Sequence, residues 1–270
     1  MQCGDVSCAK RAHVLSPNEI REIVMDLDRD EEPRPPLRWS SLSWPNHFSK
    51  FYNPSEHLAV DEVIVKFKGR VLFKQYIQKK RKSFGIKIFK LCDSTGYTYD
   101  MNVYLGKDRQ RAAQNLTAIH ATVTTLTRGV KGFGHNLYMD NFFSSPDLCV
   151  DLAQKKISCC GNVRLHRKNM PKDLKLKTLR LKRGDIRVRT RDDLTAVVWK
   201  DKRDVCLLTN THDPPREGNY RDEHGKARKP AIVADYNRHM GHVDNADRMA
   251  NCYTASRQTW KWTKSSFSTC

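Results

Sequence analysis

The sequence predicts an α/β fold: a mixed sheet with flanking helices, interrupted by a mostly β insertion. Three observations carry this prediction. The hydrophobic period changes from two to near 3.6 and back between residues 57 and 160. Short β-patterned runs fill a basic stretch between 168 and 229, and three aspartates, Asp61, Asp140 and Asp244, each stand in a distinctive setting.

Residues 57–67 alternate, with Asp61, Val63, Val65 and Phe67 on one side and Val60, Glu62 and Ile64 on the other, which is a strand by period. Phe84 to Leu91 and Tyr97 to Tyr104 are rich in aromatic and β-branched residues, and the turn residues Asp93-Ser94-Thr95-Gly96 between them predict a hairpin. The period then becomes helical. Ala112, Leu116, Ile119, Val123 and Leu126 line one amphipathic stripe. Asn136–Met139 is a short strand ending in Asp140, and Ser145 with Pro146 announces a helix as N-cap and first-turn residue. A further strand starts near Cys160. Three strands, a helix, a strand with a terminal aspartate, a helix and a strand is the layout of an RNase H-like core, in which carboxylates of neighbouring strands meet and a later helix adds a third.

Asp244 opens a segment in which Asp247 would share its helical face. Carboxylates so placed suit magnesium, which takes hard oxygen ligands, and two such ions can hold the attacking and leaving oxygens of a phosphoryl displacement. With 30 Asp and Glu in 270 residues, some triad of aspartates is certain to exist, so the order of elements carries the argument rather than the spacing.

The blocks LAVDEVIVKFKGR, KQYIQKKRKSFGIKIFKLCDSTGYTYDMNVYLGKD, LYMDNFFSSPDL, GNVRLHRKNMPK, AVVWKDKRDVCLLTNTHD and AIVADYNRHMGHVDNADRM, in this order between about Trp39 and Trp262, resemble the piggyBac family of transposases and the host proteins derived from them. The resemblance implies that Asp61, Asp140 and Asp244 are the catalytic aspartates. With Asp247 they would hold two Mg2+ ions, for which Mn2+ could substitute. It further implies cut-and-paste chemistry, in which element ends are hydrolysed, the freed 3′-hydroxyl closes hairpins, and integration occurs at TTAA. The alternative is a domesticated DNA- or chromatin-binding protein that keeps the fold without transposition.

Charge points independently to a polyanion. The formal net charge is +19 and the pI about 9.7. Residues 66–90 hold ten Lys or Arg and no acid, and residues 164–203 hold fifteen bases against five acids. Lys79, Lys80, Arg81, Lys82, Arg164, Arg167, Lys168, Lys182 and Arg183 are the candidate contacts to the backbone of double-stranded DNA. The run 79–82 serves equally as a nuclear signal or as a basic loop between strands. Trp199, Trp260 and Trp262 are expected to pack rather than to stack on bases.

The expected organisation is an acidic tail over 1–37, a remnant of a helical flanking domain over 38–56, the RNase H-like core over 57–167 and 230–258, the basic β insertion over 168–229, and a short C-terminal flank over 259–270. Within the tail, Ser16 and Glu19 make a capping box ahead of an apolar stripe of Ile20, Ile23, Val24 and Leu27. Residues 26–36, with five acids and three prolines, read as a disordered linker. Against the family pattern the flanks read as truncated. The nine cysteines contain no C-x-x-C pair, so no zinc is expected. The odd cysteine count, with no secretory signal, predicts a reducing compartment, and the nucleus fits the DNA partner. No apolar run approaches a membrane span, and a homodimer is left open.

Overall fold

The computed structural model describes residues 52–67, 69, 71–78, 84–106, 117–174 and 179–252. The helix expected at 16–27, the linker after it, Lys79 to Lys82, Ala112, Leu116, Trp260 and Trp262 lie outside the described residues. Strands β1 (His57–Lys66), β2 (Gln75–Tyr76), β3 (Phe84–Asp93), β4 (Thr98–Val103), β5 (Asn136–Met139), β6 (Ser158–Asn162), β7 (Asp185–Arg191), β8 (Leu194–Lys200), β9 (Asp204–Thr209) and β10 (Gly218–Asn219) join one sheet. Its order is β10-β7-β8-β9-β6-β5-β1-β3-β2, and β4 also pairs with β3. The central run β4-β3-β1-β5-β6 matches the expected RNase H-like layout, with β2 as a two-residue addition. The pairs β1–β5 and β5–β6 are parallel and the other pairs antiparallel.

Parallel neighbours need crossover connections, and two short helices supply them. Helix α1 (Ala118–Leu126) is capped by Thr117, whose hydroxyl accepts from His120 N–H. Helix α2 (Pro146–Gln154) is capped by Ser145, whose hydroxyl accepts from Leu148 N–H at 3.4 Å, with Pro146 at its first turn as the sequence predicts. Later come α3 (Ala231–His239) and α4 (His242–Cys252).

The alternation expected for β1 is present, yet Val63, Ile64 and Val65 are all buried. The reason is that both faces of the sheet are covered. Cys159 meets Cys149 of α2, whereas the next residue, Cys160, points to the side on which Asp235 of α3 lies. Successive strand residues face opposite ways, so α2 and α3 cover opposite faces. Leu58, Val60, Ile86, Ile88, Leu91, Leu137 and Met139 are wholly inaccessible between the layers.

The β3–β4 hairpin turns on Asp93. Its carboxylate accepts from the N–H groups of Thr95 (2.9 Å) and Tyr97 (3.1 Å) and from the Thr95 hydroxyl (2.6 Å), and Gly96 follows at φ +85°. An Asx turn closed by a left-handed glycine is what Asp-Ser-Thr-Gly encodes.

The strands expected around 186–188, 194–199 and 205–209 form as β7, β8 and β9. They continue the central sheet, because β9 pairs with β6 through Cys160↔Thr209, Gly161↔Leu208 and Asn162↔Leu207. Trp199 is 3 % exposed, as expected for a packing residue.

Two predictions follow from packing and charge in this sheet. A Cβ at Gly161 would lie 2.1 Å from Ser144 Oγ and 3.0 Å from the Met139 carbonyl. Gly161→Ala should therefore destabilise the fold by about 1–3 kcal/mol in chemical denaturation, the usual cost of overpacking. Asp100 of β4 has its pKa raised by burial to about 6, against partial relief from the Met101 N–H and Arg128. The folded state then binds the extra proton, so stability should fall as pH rises from about 4 through 6. Asp100→Asn should remove that slope and raise the melting temperature at pH 7 more than at pH 4.

Candidate active site

Asp61 and Asp140 are brought together by strand register. The parallel pairing of β1 with β5 runs His57↔Asn136, Leu58↔Leu137, Ala59↔Tyr138 and Val60↔Met139. Asp61 and Asp140 each follow the last of these pairs by one residue. Both alternate onto the face that carries His57, Ala59 and Tyr138. The Asp61 carboxylate accepts from Glu62 N–H at 2.7 Å, and its antiparallel neighbour on β3 is the fully buried Lys90. Beyond β5 the backbone turns. The Asp140 carbonyl accepts from Phe143 N–H (3.0 Å), Ser144 N–H (3.1 Å) and the Ser144 hydroxyl (3.1 Å).

That turn is gripped from the segment after β6. Arg167 donates through Nη2 to the carbonyls of Asn141 (3.2 Å) and Phe142 (2.8 Å), and Arg164 Nε donates to Asn141 Oδ1 at 3.2 Å. Of the basic residues singled out in the sequence, Arg164, Lys168, Lys182 and Arg183 are exposed, while Arg167 is half-buried. Arg183 shares Asp201 at 3.1 Å. Lys79, Lys80, Arg81 and Lys82 lie outside the described residues.

Asp244 and Asp247 lie in α4 as expected, Asp244 exposed in the first turn and Asp247 half-buried. Helix α4 packs against β1 and β3 near the start of β1: Ala246 and Met249 lie over Gly96, and His242 meets His239, whose ring lies 4.2 Å from that of His57. His57 precedes Asp61 by four residues, roughly 13 Å along an extended strand. Asp244 is thus set toward the other end of β1. Among the described residues no group of three or more His, Cys, Asp or Glu could hold a metal ion. Asp61 and Asp140 carry hard oxygen donors of the kind a divalent cation takes, and Asp244 does not form a group of three with them.

Further contributors were not singled out in the sequence. Tyr236 of α3 is 8 % exposed, and its hydroxyl bonds the backbone of Asn162. Burial, with the negative charge of Asp140 and, more weakly, that of Asp61, pushes its phenol far above the ordinary tyrosine range, so it feels the field of both carboxylates. One residue earlier, Asp235 accepts from the Tyr138 hydroxyl at 2.7 Å and meets His212 Nε2 at 3.0 Å. On β7, Arg187, Arg189 and Arg191 alternate with the buried Ile186 and Val188, so the arginines share one outer face. The R-x-R-x-R spacing could have disclosed that face; nothing local discloses Tyr138 and Asp235, which lie 97 residues apart.

A mixed sheet of this order, with two carboxylates following the last β1–β5 pair, defines an RNase H-like protein with a candidate phosphoryl-transfer site. Residues 37–270 match the model of the family described as Transposase IS4. The chain is 23% identical over 234 residues to PiggyBac transposable element-derived protein 5 of Homo sapiens, covering 80% of this chain and 44% of that protein. It is 26% identical over 226 residues to PiggyBac transposable element-derived protein 3 of Homo sapiens, covering 79% and 38%. Among solved structures, the cryo-EM piggyBac transposase synaptic complex with hairpin DNA matches with a TM-score of 0.70 and 31% identity over 82% of this chain and 45% of that one. The chain belongs to the piggyBac transposase family. It spans less than half the length of these relatives.

The electrostatic coupling of Tyr236 to the carboxylates can be tested. Removing one negative charge should make the phenol easier to ionise, so Asp140→Asn should lower the Tyr236 titration midpoint, followed by NMR of 13C-labelled tyrosine. An unchanged midpoint would separate Tyr236 from the site.

Proposed function

We propose that this chain forms the catalytic core of a piggyBac-type DNA transposase, cleaving and joining DNA strands at transposon ends with a preference for TTAA targets. The observation that supports the proposal is the parallel register of β1 and β5, whose last pair, Val60↔Met139, is followed on each strand by Asp61 and Asp140, within a chain of a transposase family. Asp61 and Asp140 would hold a divalent cation, Mg2+ or in its place Mn2+, with Asp244 and Asp247 joining on closure of α4 toward the carboxylate end. When bound, such an ion activates the attacking oxygen and stabilises the leaving one. The residues of the chain hold the geometry. Arg167 fixes the turn after Asp140, and the buried Tyr236 limits water on one side of the carboxylates.

Double-stranded DNA is the proposed partner, a reading supported by the likeness to the piggyBac synaptic complex with hairpin DNA. Exposed Arg164, Lys168, Lys182 and Arg183, with Lys79 to Lys82, are the proposed phosphate contacts, extended by the outward arginines of β7. Phosphate contacts position DNA without reading its sequence. Recognition of particular ends by this chain should be weak. The nucleus is the compartment this activity requires.

A second reading, a transposase-derived protein that binds DNA or chromatin without transposition, draws on one observation: Asp244 is exposed and does not join the other carboxylates.

A magnesium-dependent nicking assay on DNA carrying matched transposon ends separates the two. Under the first reading the chain nicks, and Asp61→Asn or Asp140→Asn lowers the rate by at least about a hundredfold, the scale of losing an electrostatic stabiliser of the transition state. Asp244→Asn should be as damaging, with Asp247→Asn equal or milder. Under the second, DNA is bound with steep salt dependence and not cut.

A further inference from the structure

The helices that carry Tyr236, Asp244 and Asp247 are attached to the sheet by a polar knot. The Asp235 carboxylate uses both oxygens. Its Oδ2 accepts from the Tyr138 hydroxyl at 2.7 Å and from His212 Nε2 at 3.0 Å, and its Oδ1 lies 3.2 Å from His239 Nδ1. His212 is oriented in turn by Thr209, whose hydroxyl lies 3.1 Å from Nδ1 and so turns Nε2 toward Asp235. Thr209 is fully buried at the end of β9. The His239 ring closes the knot by packing 4.7 Å from Tyr138 and 4.2 Å from His57.

The partners come from different parts of the fold. Tyr138 lies on β5 two residues before Asp140, and His212 follows β9. Asp235 precedes Tyr236 on α3, and His239 ends α3 just before α4 begins. Charge-assisted hydrogen bonds to a carboxylate are among the stronger and more directional ones, and two of them on one side chain, with the His239 ring beside it hydrogen-bonded to the Asp235 backbone carbonyl at 3.1 Å, fix a helix in rotation as well as position. Burial opposes ionisation of Asp235, but the bonds from Tyr138 and the charges of His239 and His212 outweigh it and hold the carboxyl below its ordinary range.

We infer that Asp235 is a positioning residue: tied to Tyr138 and His212, it locks α3 onto the strand that ends in Asp140 and so sets Tyr236 and the α4 carboxylates relative to the Asp61–Asp140 pair. This inference rests on the reading of Asp61 and Asp140 as a cation seat.

The test uses the full chain and Mn2+ as probe, with affinity read by electron paramagnetic resonance. Tyr138→Phe removes one hydroxyl and keeps the ring; Asp235→Asn keeps one acceptor and loses the charge. Each should weaken Mn2+ binding about tenfold, the lower end of what loss of an outer partner costs at a metal site. Val197→Ala, a buried cavity variant in β8, is the control for general destabilisation and should leave the affinity unchanged. Unchanged affinity in Tyr138→Phe and Asp235→Asn, or an equal loss in Val197→Ala, overturns the inference. Hydrogen exchange is measured on the same variants without metal. Faster exchange confined to Ala231–His239 and the first turn of α4 supports the tie, and exchange no different from wild type overturns it. Failure of the wild-type chain to bind Mn2+ would count against the cation seat itself, and the tie would then stand or fall on exchange alone.

Discussion

The parallel register of β1 and β5 is the constraint on which the rest of the site depends. In a strand the side chains alternate strictly, so a slip of one residue between these neighbours would send Asp140 to the opposite face from Asp61 and carry Tyr138 away from α3. What prevents the slip is the burial of both faces. Leu58, Val60, Leu137 and Met139 fill one side, and Ala59, Tyr138 and Val63 the other. Exposing either set would cost more than any single hydrogen bond at the site could recover, since burying one large aliphatic side chain is worth about 1.5–3 kcal/mol.

The two faces then take different work. On one side lie the carboxylates, Tyr236 and the Asp235 knot. On the other, Phe89, Phe142 and Phe143 pack edge to face or stacked, with Lys87 lying 4.3 Å from the Phe142 ring centroid and paired with Glu62. Phe142 and Phe143 directly follow the turn after Asp140. Their packing beneath the sheet and the hold of Arg167 on the carbonyls above restrain that turn from two directions. Aromatic pairs of this kind contribute about 0.5–1.5 kcal/mol beyond the area they bury.

Much of this was legible in the residues because it is local. The period of β1, the Asx turn at Asp93, the Ser145-Pro146 start of α2 and the placement of Asp140 at the end of β5 are each written within a few neighbouring positions. The family resemblance located the same aspartates. What could not be read is set by distance along the chain. The Asp235 knot joins side chains from four segments, and no period marks its members. The merging of the basic β segment with the central sheet depends on β9 pairing with β6, about fifty residues apart, which alternation within each strand does not encode. The position of α4 is a matter of packing as well: helical spacing placed Asp244 and Asp247 on one helix, but contact of Ala246 and Met249 with the Gly96 turn decides where that helix lies.

The unbroken pairing from β1 to β7 also has a mechanical meaning. Between the arginine-bearing strand and the two strands that lead to the carboxylates stand β8, β9 and β6, spaced about 4.8 Å apart by their hydrogen bonds. The interval from the arginine face to the carboxylates is therefore set by backbone geometry rather than by a hinge or linker. Like the jaw opening of a fixed caliper, it can be altered only by adding or removing a strand or by bending the sheet itself.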